Sequence, residues 1–230
     1  MRIEIAGENA LILYFSEQVS EASSDQIQAM TQALDVKVGK GIIDLVPSYA
    51  SLLIVYDDYR YDYYAMKQLI QQTALKIGQN EREIDSLLTR PIVTLPVYYG
   101  PEASPDLDAL AQHAQLSKED VIAIHQAGLY QVYAIGFAPG FAFLGEVDAR
   151  ISMPRKTTPR QAVPKGAVAI ADRQTAVYPS ISPGGWNLIG LCPVLMFDPE
   201  KTPCMPVETG DKVKFEAISK ADFIGMGGVL

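Results

Sequence analysis

The chain has few of the side chains on which common catalytic and metal sites depend. Its 230 residues include only two cysteines, Cys192 and Cys204, and two histidines, His113 and His125. Two thiols are too few for a disulfide framework, and neither a CxxC pair nor clustered His and Cys ligands occur. We therefore expect no structural disulfide, no metal site and a reducing cytoplasmic environment.

Long apolar runs and an excess of positive charge are also missing. No stretch approaches the roughly 18 uncharged apolar residues of a membrane-spanning helix, and Glu4 interrupts the apolar N-terminus, unlike a signal peptide. The chain has 19 Lys and Arg against 27 Asp and Glu, a formal net charge of −8. These features predict a cytoplasmic protein that binds a small molecule or another protein, rather than nucleic acid or a membrane.

Two familiar catalytic motifs are absent as well. The phosphate-loop pattern GxxxxGK followed by Ser or Thr does not occur, and neither does the GxSxG elbow of serine hydrolases. The composition is nevertheless that of a folded protein, with 48% hydrophobic and 20% charged residues.

The first ninety residues carry strand and helix signals in alternation. The predicted order is strand, strand, helix, strand, strand, helix, strand, at residues 2–6, 10–15, 19–36, 42–46, 51–56, 66–77 and 91–97. A polar, charged stretch at 78–90 predicts a connector, which places a first domain at residues 1–90. An antiparallel sheet backed by helices, of ferredoxin-like type, is the nearest common α+β arrangement.

Two short helices are predicted within residues 104–128. Ser104 is a good N-cap with Pro105 at the first helical position, and Ser117 caps the second helix. The acidic charge argues against a DNA-binding helix-turn-helix. His125 lies one turn beyond Val121 on the apolar face, a position that fits a core histidine and a functional histidine equally well.

Beyond residue 128, short strands replace the helical periodicity. They predict a barrel or folded sheet, with strands at residues 130–135, 167–171, 175–178, 186–190, 194–197 and 212–217. The second domain is therefore placed at 91–230, with the helical pair at 104–128. Its apolar ending, residues 223–230, is either a loose tail or a strip that docks on a partner.

Residues 133–190 carry the clearest indication of a binding pocket. Around Phe137, Pro139 and Gly140, glycine and proline alternate with aromatic residues. Glycine permits close backbone approach, proline fixes the backbone and aromatic rings form rigid walls, a combination typical of pocket-forming loops. An irregular core segment explains the same pattern.

Polar candidates follow along the same stretch. Arg160 can bind a carboxylate or phosphate through two hydrogen bonds, Lys165 adds a point charge and Gln174 an amide. The remaining candidates combine consecutive glycines with the single tryptophan: Tyr178, Gly184, Gly185 and Trp186. Exposed glycine N–H groups suit an anion or amide, and a tight barrel turn accounts for the glycines as well.

Several ordered motifs resemble one known family. They are Val97-Tyr98-Tyr99-Gly100, Pro105-Asp106-Leu107, Gly136-Phe137-x-Pro139-Gly140-Phe141-x-Phe143-Leu144, Thr158-Pro159-Arg160, Val163-Pro164-x-Gly166, Gln174-Thr175-x-x-Tyr178-Pro179 and Ser182-Pro183-Gly184-Gly185-Trp186-x-x-Ile189-Gly190. This set resembles the family of the 5-oxoprolinase B subunit, which also includes the sporulation-kinase inhibitor KipI and allophanate hydrolase subunit 1.

The resemblance implies an N-terminal α+β domain followed by a cyclophilin-like β-barrel. It also implies a heteromeric hydrolase, inactive without its partner subunits C and A, that opens the lactam of 5-oxo-L-proline to L-glutamate with ATP. ATP with Mg²⁺ would bind at the level of the complex, with no tightly bound cofactor in this chain. In such a reaction Arg160 and Lys165 would stabilise phosphoryl charge and His125 would accept a proton. The residues expected to contact the substrate are Phe137, Pro139, Gly140, Gln174, Tyr178, Gly184, Gly185 and Trp186.

Two alternatives share these motifs. One is a KipI-like protein that inhibits a sensor histidine kinase and catalyses nothing. The other is an allophanate hydrolase or urea-carboxylation subunit, for which a carboxybiotin carrier would be expected. The motifs alone do not separate these functions.

Overall fold

A computed structural model of the chain describes residues 1–17, 20–79 and 92–230. The chain divides into two compact units, Met1–Arg90 and Pro91–Leu230. The predicted connector at 78–90 lies almost entirely outside the described residues. No helix in the described ranges combines the length and the apolar character needed to cross a membrane.

The first unit is a four-stranded antiparallel sheet with two helices. Its elements are β1 (Arg2–Gly7), β2 (Ala10–Tyr14), α1 (Glu21–Asp35), β3 (Ile42–Ser48), β4 (Ser51–Tyr56) and α2 (Tyr63–Gln79). Ser20 begins α1 by accepting a hydrogen bond from the Ser23 backbone N–H. Alternate strand residues such as Leu11 and Ile54 are fully buried in one cluster with Met30 and Met66 of the helices.

The ferredoxin-like part of the prediction is not confirmed. The first unit runs β-β-α-β-β-α with strand order β1-β2-β4-β3, whereas a ferredoxin-like fold runs β-α-β-β-α-β. The strand predicted at 91–97 belongs to the sheet of the second unit, where it pairs with a strand more than a hundred residues later.

The second unit contains short helices and a large sheet. Its helices are α3 (Leu107–Ala114), α4 (Lys118–Ala127), a 3₁₀ turn (Ala149–Ile151) and α5 (Lys220–Gly225). Its strands are β5 (Ile92–Val97), β6 (Tyr130–Ile135), β7 (Ala142–Gly145), β8 (Arg160–Val163), β9 (Ala167–Ala171), β10 (Gln174–Val177), β11 (Ser182–Gly184), β12 (Asn187–Leu191) and β13 (Lys212–Ala217).

The main sheet nearly closes into a barrel. Its seven strands follow the order β12-β9-β10-β7-β6-β13-β5. Beyond the end of β5, Tyr98 and Leu191 exchange backbone hydrogen bonds of 2.8 and 2.9 Å, which join the two outer strands. The prediction of a barrel or folded sheet is thereby confirmed, while its cyclophilin-like classification stays a prediction. Strands β8 and β11 form a separate two-stranded sheet.

Some local predictions were wrong. Residues 194–197 form no strand, and the carbonyl of Met196 instead packs against Gly140. Ser104 does not cap α3, because its hydroxyl donates back to the carbonyls of Tyr99 and Gly100. The helix begins after Asp106, whose side chain makes no cap hydrogen bond and is used elsewhere.

Candidate functional site

Asp106 forms the centre of the candidate site, although its side chain is only 5% exposed. Its Oδ1 accepts hydrogen bonds from Nη2 of Arg160 and Nζ of Lys156, each at 2.7 Å. Its Oδ2 accepts the backbone N–H of Leu188, also at 2.7 Å. Burial alone raises the pKa of Asp106, but these three donors outweigh it and hold the pKa below its ordinary value. The ionised carboxylate therefore ties together three distant segments of the chain.

Residues 153–160, here called the basic loop, are held by hydrogen bonds to the turn between β9 and β10 and to the start of β12. Three backbone positions hold the loop: Asp172 N donates to Met153 O at 2.7 Å, Asn187 Nδ2 to Pro154 O at 3.0 Å, and Lys156 N to Gly185 O at 2.7 Å. The predicted residue Gly185 thus contributes its carbonyl to the loop. A loop tied at several points presents its side chains in a fixed geometry, as a binding site requires.

The candidate site has more positive than negative charge. Arg155, Lys156 and Arg160 lie in the basic loop, and Asp106 is the carboxylate that pairs with the latter two. Nη1 of Arg160 is buried and has no hydrogen-bond partner within the described part of the chain. An unsatisfied buried donor is costly, and this nitrogen is the donor of the candidate site that lacks an acceptor among the described residues.

An aromatic cluster adjoins the basic loop and contains three of the predicted residues, Phe137, Tyr178 and Trp186. Ring centroids of neighbouring pairs are 5.3 Å apart for Phe137–Phe141, 5.2 Å for Phe141–Tyr178, 5.7 Å for Phe141–Trp186 and 6.1 Å for Phe143–Trp186. Trp186 is 5% exposed and Tyr178 2%, whereas Phe137 is 68% exposed. The cluster is thus a rigid aromatic wall with one edge open to solvent.

The polar end of this cluster faces the cations. The guanidinium carbon of Arg155 lies 5.7 Å from the centroid of Trp186, within cation–π range. Burial raises the pKa of Tyr178, although the charges of Arg155 and Arg160 and the backbone N–H of Trp186 act in the opposite direction. The Tyr178 hydroxyl therefore stays a neutral phenol and marks the point where both arginines approach the cluster.

Two of the predicted glycines make close contacts that shape the wall. Gly140 has φ +84°, and a Cβ there would lie 2.5 Å from the carbonyl oxygen of Met196. A Cβ on Gly184 would lie 2.3 Å from the hydroxyl of Tyr178. Pro139 precedes Gly140 in an exposed turn. These contacts explain the glycines through packing.

His125 lies in the core of the second unit. It is fully buried, with Nδ1 2.8 Å from the Tyr99 hydroxyl and Nε2 3.0 Å from Oγ1 of Thr175. Its ring stacks on Phe215 at a centroid distance of 4.5 Å. Burial lowers its pKa from 6.5 to about 3. Both nitrogens are occupied within the chain, so we assign His125 to the core in place of the proton-accepting role predicted for it.

Lys165 and Gln174 do not take part in the ion pairs of the candidate site. Lys165 is exposed in the turn between β8 and β9, where its charge helps to lower the pKa of Asp198. Gln174 is half-buried in β10, opposite Gly145 of β7. The second cation beside Arg160 is Lys156 rather than the predicted Lys165.

Sequence reasoning missed Asp106, Arg155 and Lys156. Asp106 belongs to the Pro105-Asp106-Leu107 motif, which served only to identify the family resemblance. Arg155 and Lys156 precede the Thr158-Pro159-Arg160 motif by only a few residues. Three cationic side chains within residues 155–160 were the sequence signal from which this part of the site could have been predicted.

Cavities occur elsewhere in each unit. One of about 680 Å³ lies in the first unit, lined by Met1, Phe15, Gln26, Met30, Gln71, Ala74, Leu75, Ile77 and Gly78. One of about 350 Å³ lies in the second unit, lined by Thr94, Ala123, Gln126, Ala127, Lys214, Phe215 and Glu216. Neither lining includes a predicted site residue, so volume alone does not identify the chemistry. Within the described residues, no three His, Cys, Asp or Glu side chains gather as metal ligands.

Known proteins resemble this chain over most of its length. A family model described as carboxyltransferase domain, subdomain C and D, matches residues 1–207. The 5-oxoprolinase B subunit of Bacillus subtilis (strain 168) is 39% identical over an alignment of 231 residues that covers 96% of this chain and 95% of that protein.

Solved structures show the same architecture. TTHA0988 is 36% identical with a TM-score of 0.78 over 91% of this chain, which spans only 40% of the length of TTHA0988. The urea amidolyase of K. lactis is 16% identical with a TM-score of 0.70, covering 97% of this chain and 15% of that one. The second likeness concerns the fold alone.

Proposed function

This chain belongs to the family of the carboxyltransferase domain, subdomain C and D, and from this premise we propose that it is the B subunit of an ATP-dependent 5-oxoprolinase. The observation that carries the proposal is the 39% identity to a 5-oxoprolinase B subunit across 95% of that protein. In this proposal the chain acts in a heteromer with subunits C and A, opens the lactam of 5-oxo-L-proline to L-glutamate, and is inactive alone.

The chemistry explains what such a complex must provide. A lactam carbonyl is a poor electrophile, and the ring nitrogen is a poor leaving group. Transfer of the γ-phosphoryl group of ATP to the carbonyl oxygen would release ADP and make the carbon electrophilic, so that water can add to it. The ring C–N bond then breaks with a proton placed on the nitrogen, and a second water hydrolyses the resulting acyl phosphate to glutamate and phosphate. Negative charge develops on oxygen atoms throughout, and positioned cations stabilise it.

The residues around Asp106 suit this charge stabilisation. Arg160 is held by the carboxylate through Nη2 at 2.7 Å, while its buried Nη1 has a free donor. An anionic oxygen fits that donor, because a guanidinium group carries positive charge and only donates hydrogen bonds. In our proposal Arg160 binds the developing charge, Lys156 supports it, and the aromatic wall excludes water from one side.

The proton acceptor is proposed to come from a partner subunit. His125 is 0% exposed and both of its ring nitrogens already have partners. A general base must lie within hydrogen-bond reach of the proton it removes. The scarcity of catalytic side chains in this chain fits a site completed by other polypeptides.

Reconstitution tests the proposal. The chain is combined with homologues of subunits C and A, and glutamate formed from 5-oxo-L-proline is measured with and without ATP. We expect glutamate only in the complete, ATP-containing mixture. An equal rate in the mixture lacking this chain would overturn the proposal.

A further inference from the structure

We propose that Arg155 is the receptor for the carboxylate of the substrate, with Trp186 as the surface that orients it. This inference rests on the proposed function and adds a residue that decides substrate specificity. The guanidinium carbon of Arg155 lies 5.7 Å from the Trp186 ring centroid, and the residue is exposed to solvent.

Arg155 differs from its neighbours in how its charge is used. Lys156 and Arg160 each bond to the same oxygen of Asp106 at 2.7 Å. Among the described residues, no carboxylate lies within ion-pair distance of Arg155, and its charge is felt by the buried Tyr178 hydroxyl. The planar fork of Arg155 is therefore available for a carboxylate from outside the chain.

The base of this arginine is held firmly. Lys156, the next residue, donates its backbone N–H to Gly185 at 2.7 Å, and Pro154, the preceding residue, accepts from Asn187 at 3.0 Å. Cation–π contact with Trp186 restricts the side chain further. Less conformational freedom is then lost when a ligand binds, which favours affinity for a small molecule.

The surroundings favour a small ring that carries a carboxylate. The Trp186 ring lies under the guanidinium, Phe143 packs next to Trp186 at a centroid distance of 6.1 Å, and Phe137, at 68% exposure, lies at the open edge of the cluster. A five-membered lactam with a carboxylate presents one apolar face and one anionic group, which matches this arrangement. The phosphates of ATP are the other source of oxyanions, so the test must separate the two.

Tryptophan fluorescence provides a test that does not depend on activity. Trp186 is the single tryptophan of the chain, and its emission should change when a ligand binds to the stacked Arg155. The full chain is titrated with 5-oxo-L-proline, with its uncharged amide 5-oxoprolinamide and with ATP. We expect a saturable change with 5-oxo-L-proline that is weakened at least tenfold for the amide and for Arg155→Gln.

A matched control removes the same charge elsewhere. Arg150 is exposed and already paired with Asp148 at 2.7 and 3.0 Å, so Arg150→Gln should titrate like the wild type. Arg155→Lys keeps the positive charge but lacks the planar guanidinium, so it should bind 5-oxo-L-proline with intermediate affinity. The inference would be overturned if the wild type responded to ATP but not to 5-oxo-L-proline, or if it responded to neither. Equal binding of 5-oxo-L-proline by Arg155→Gln and the wild type would also overturn it.

Kinetics of the reconstituted complex separate this inference from the proposed function. Arg155→Gln should raise KM for 5-oxo-L-proline on the order of tenfold to a hundredfold, with little change in KM for ATP. An unchanged KM for 5-oxo-L-proline contradicts the inference alone. If the wild-type chain binds 5-oxo-L-proline but the complete mixture forms no glutamate, the result contradicts the proposed function and the inference stands.

Discussion

Replacing His125 by glutamine is expected to remove much of the acid sensitivity of the second unit. The imidazole is fully buried between Tyr99, Thr175 and Phe215, and burial lowers its pKa from 6.5 to about 3. In the unfolded chain the same group has its ordinary pKa. Between these two values the unfolded state binds a proton that the folded state does not, so stability falls as the pH falls from 6.5 towards 3.

The size of the effect follows from this difference in pKa. Each unit of pH inside the window contributes about 1.4 kcal/mol. Lowering the pH from about 7 to about 5 therefore costs about 2 kcal/mol of unfolding free energy through His125 alone. The Asp106 carboxylate, with a lowered pKa, loses its stabilising effect only in more acidic solution.

Urea unfolding followed by Trp186 emission measures this loss, because the tryptophan belongs to the same unit. The wild type should lose about 2 kcal/mol more than His125→Gln over this pH change. His113→Gln, which removes the exposed second histidine, should behave like the wild type. If His125→Gln fails to fold, NMR of the wild type provides the test, and the His113→Gln variant identifies which signal belongs to which histidine. A His125 signal that titrates between pH 7 and 5 would refute the reasoning.

Three further substitutions test the packing of the second unit by urea unfolding. Asp106→Asn leaves two cations beside a neutral amide and should destabilise the unit by about 3 kcal/mol, and a loss below about 0.5 kcal/mol would contradict the ion-pair geometry. Gly140→Ala should cost at least about 2 kcal/mol because of its positive φ and its close contact, whereas Gly136→Ala, with open space around it, should cost under about 1 kcal/mol. Phe223→Ala, at 2% exposure, should cost about 3 kcal/mol and Ile224→Ala, at 53%, under about 1 kcal/mol, and equal effects would mean that the terminal helix is not docked.

Local patterns predicted most of the regular elements. Strands β6, β9 and β13 have the predicted bounds, because alternating or continuous apolar runs between glycines and prolines specify short strands. The cap at Ser117 is present, with its oxygen accepting the Asp120 N–H at 3.0 Å. Such signals depend on neighbouring residues, so the sequence carries them directly.

Local sequence patterns did not predict the contacts between distant parts of the chain. The partners of Asp106 lie 50 or more positions away, at Lys156, Arg160 and Leu188. The ferredoxin-like prediction was not confirmed because it counted the strand before Tyr98 with the first unit, although that strand pairs with β13. Whether His125 is a core or a functional residue was also undecidable locally, since its burial depends on Phe215 and Thr175 from distant strands.

In the proposed function, the cationic cluster around Asp106 serves lactam opening in a multisubunit enzyme. Its most direct test is kcat for ATP-dependent glutamate formation by the three-subunit complex carrying Arg160→Gln. With normal Trp186 emission and normal assembly, kcat should fall on the order of a hundredfold, as for loss of one donor to a developing oxyanion. A wild-type kcat in the folded, assembled variant would contradict the claim.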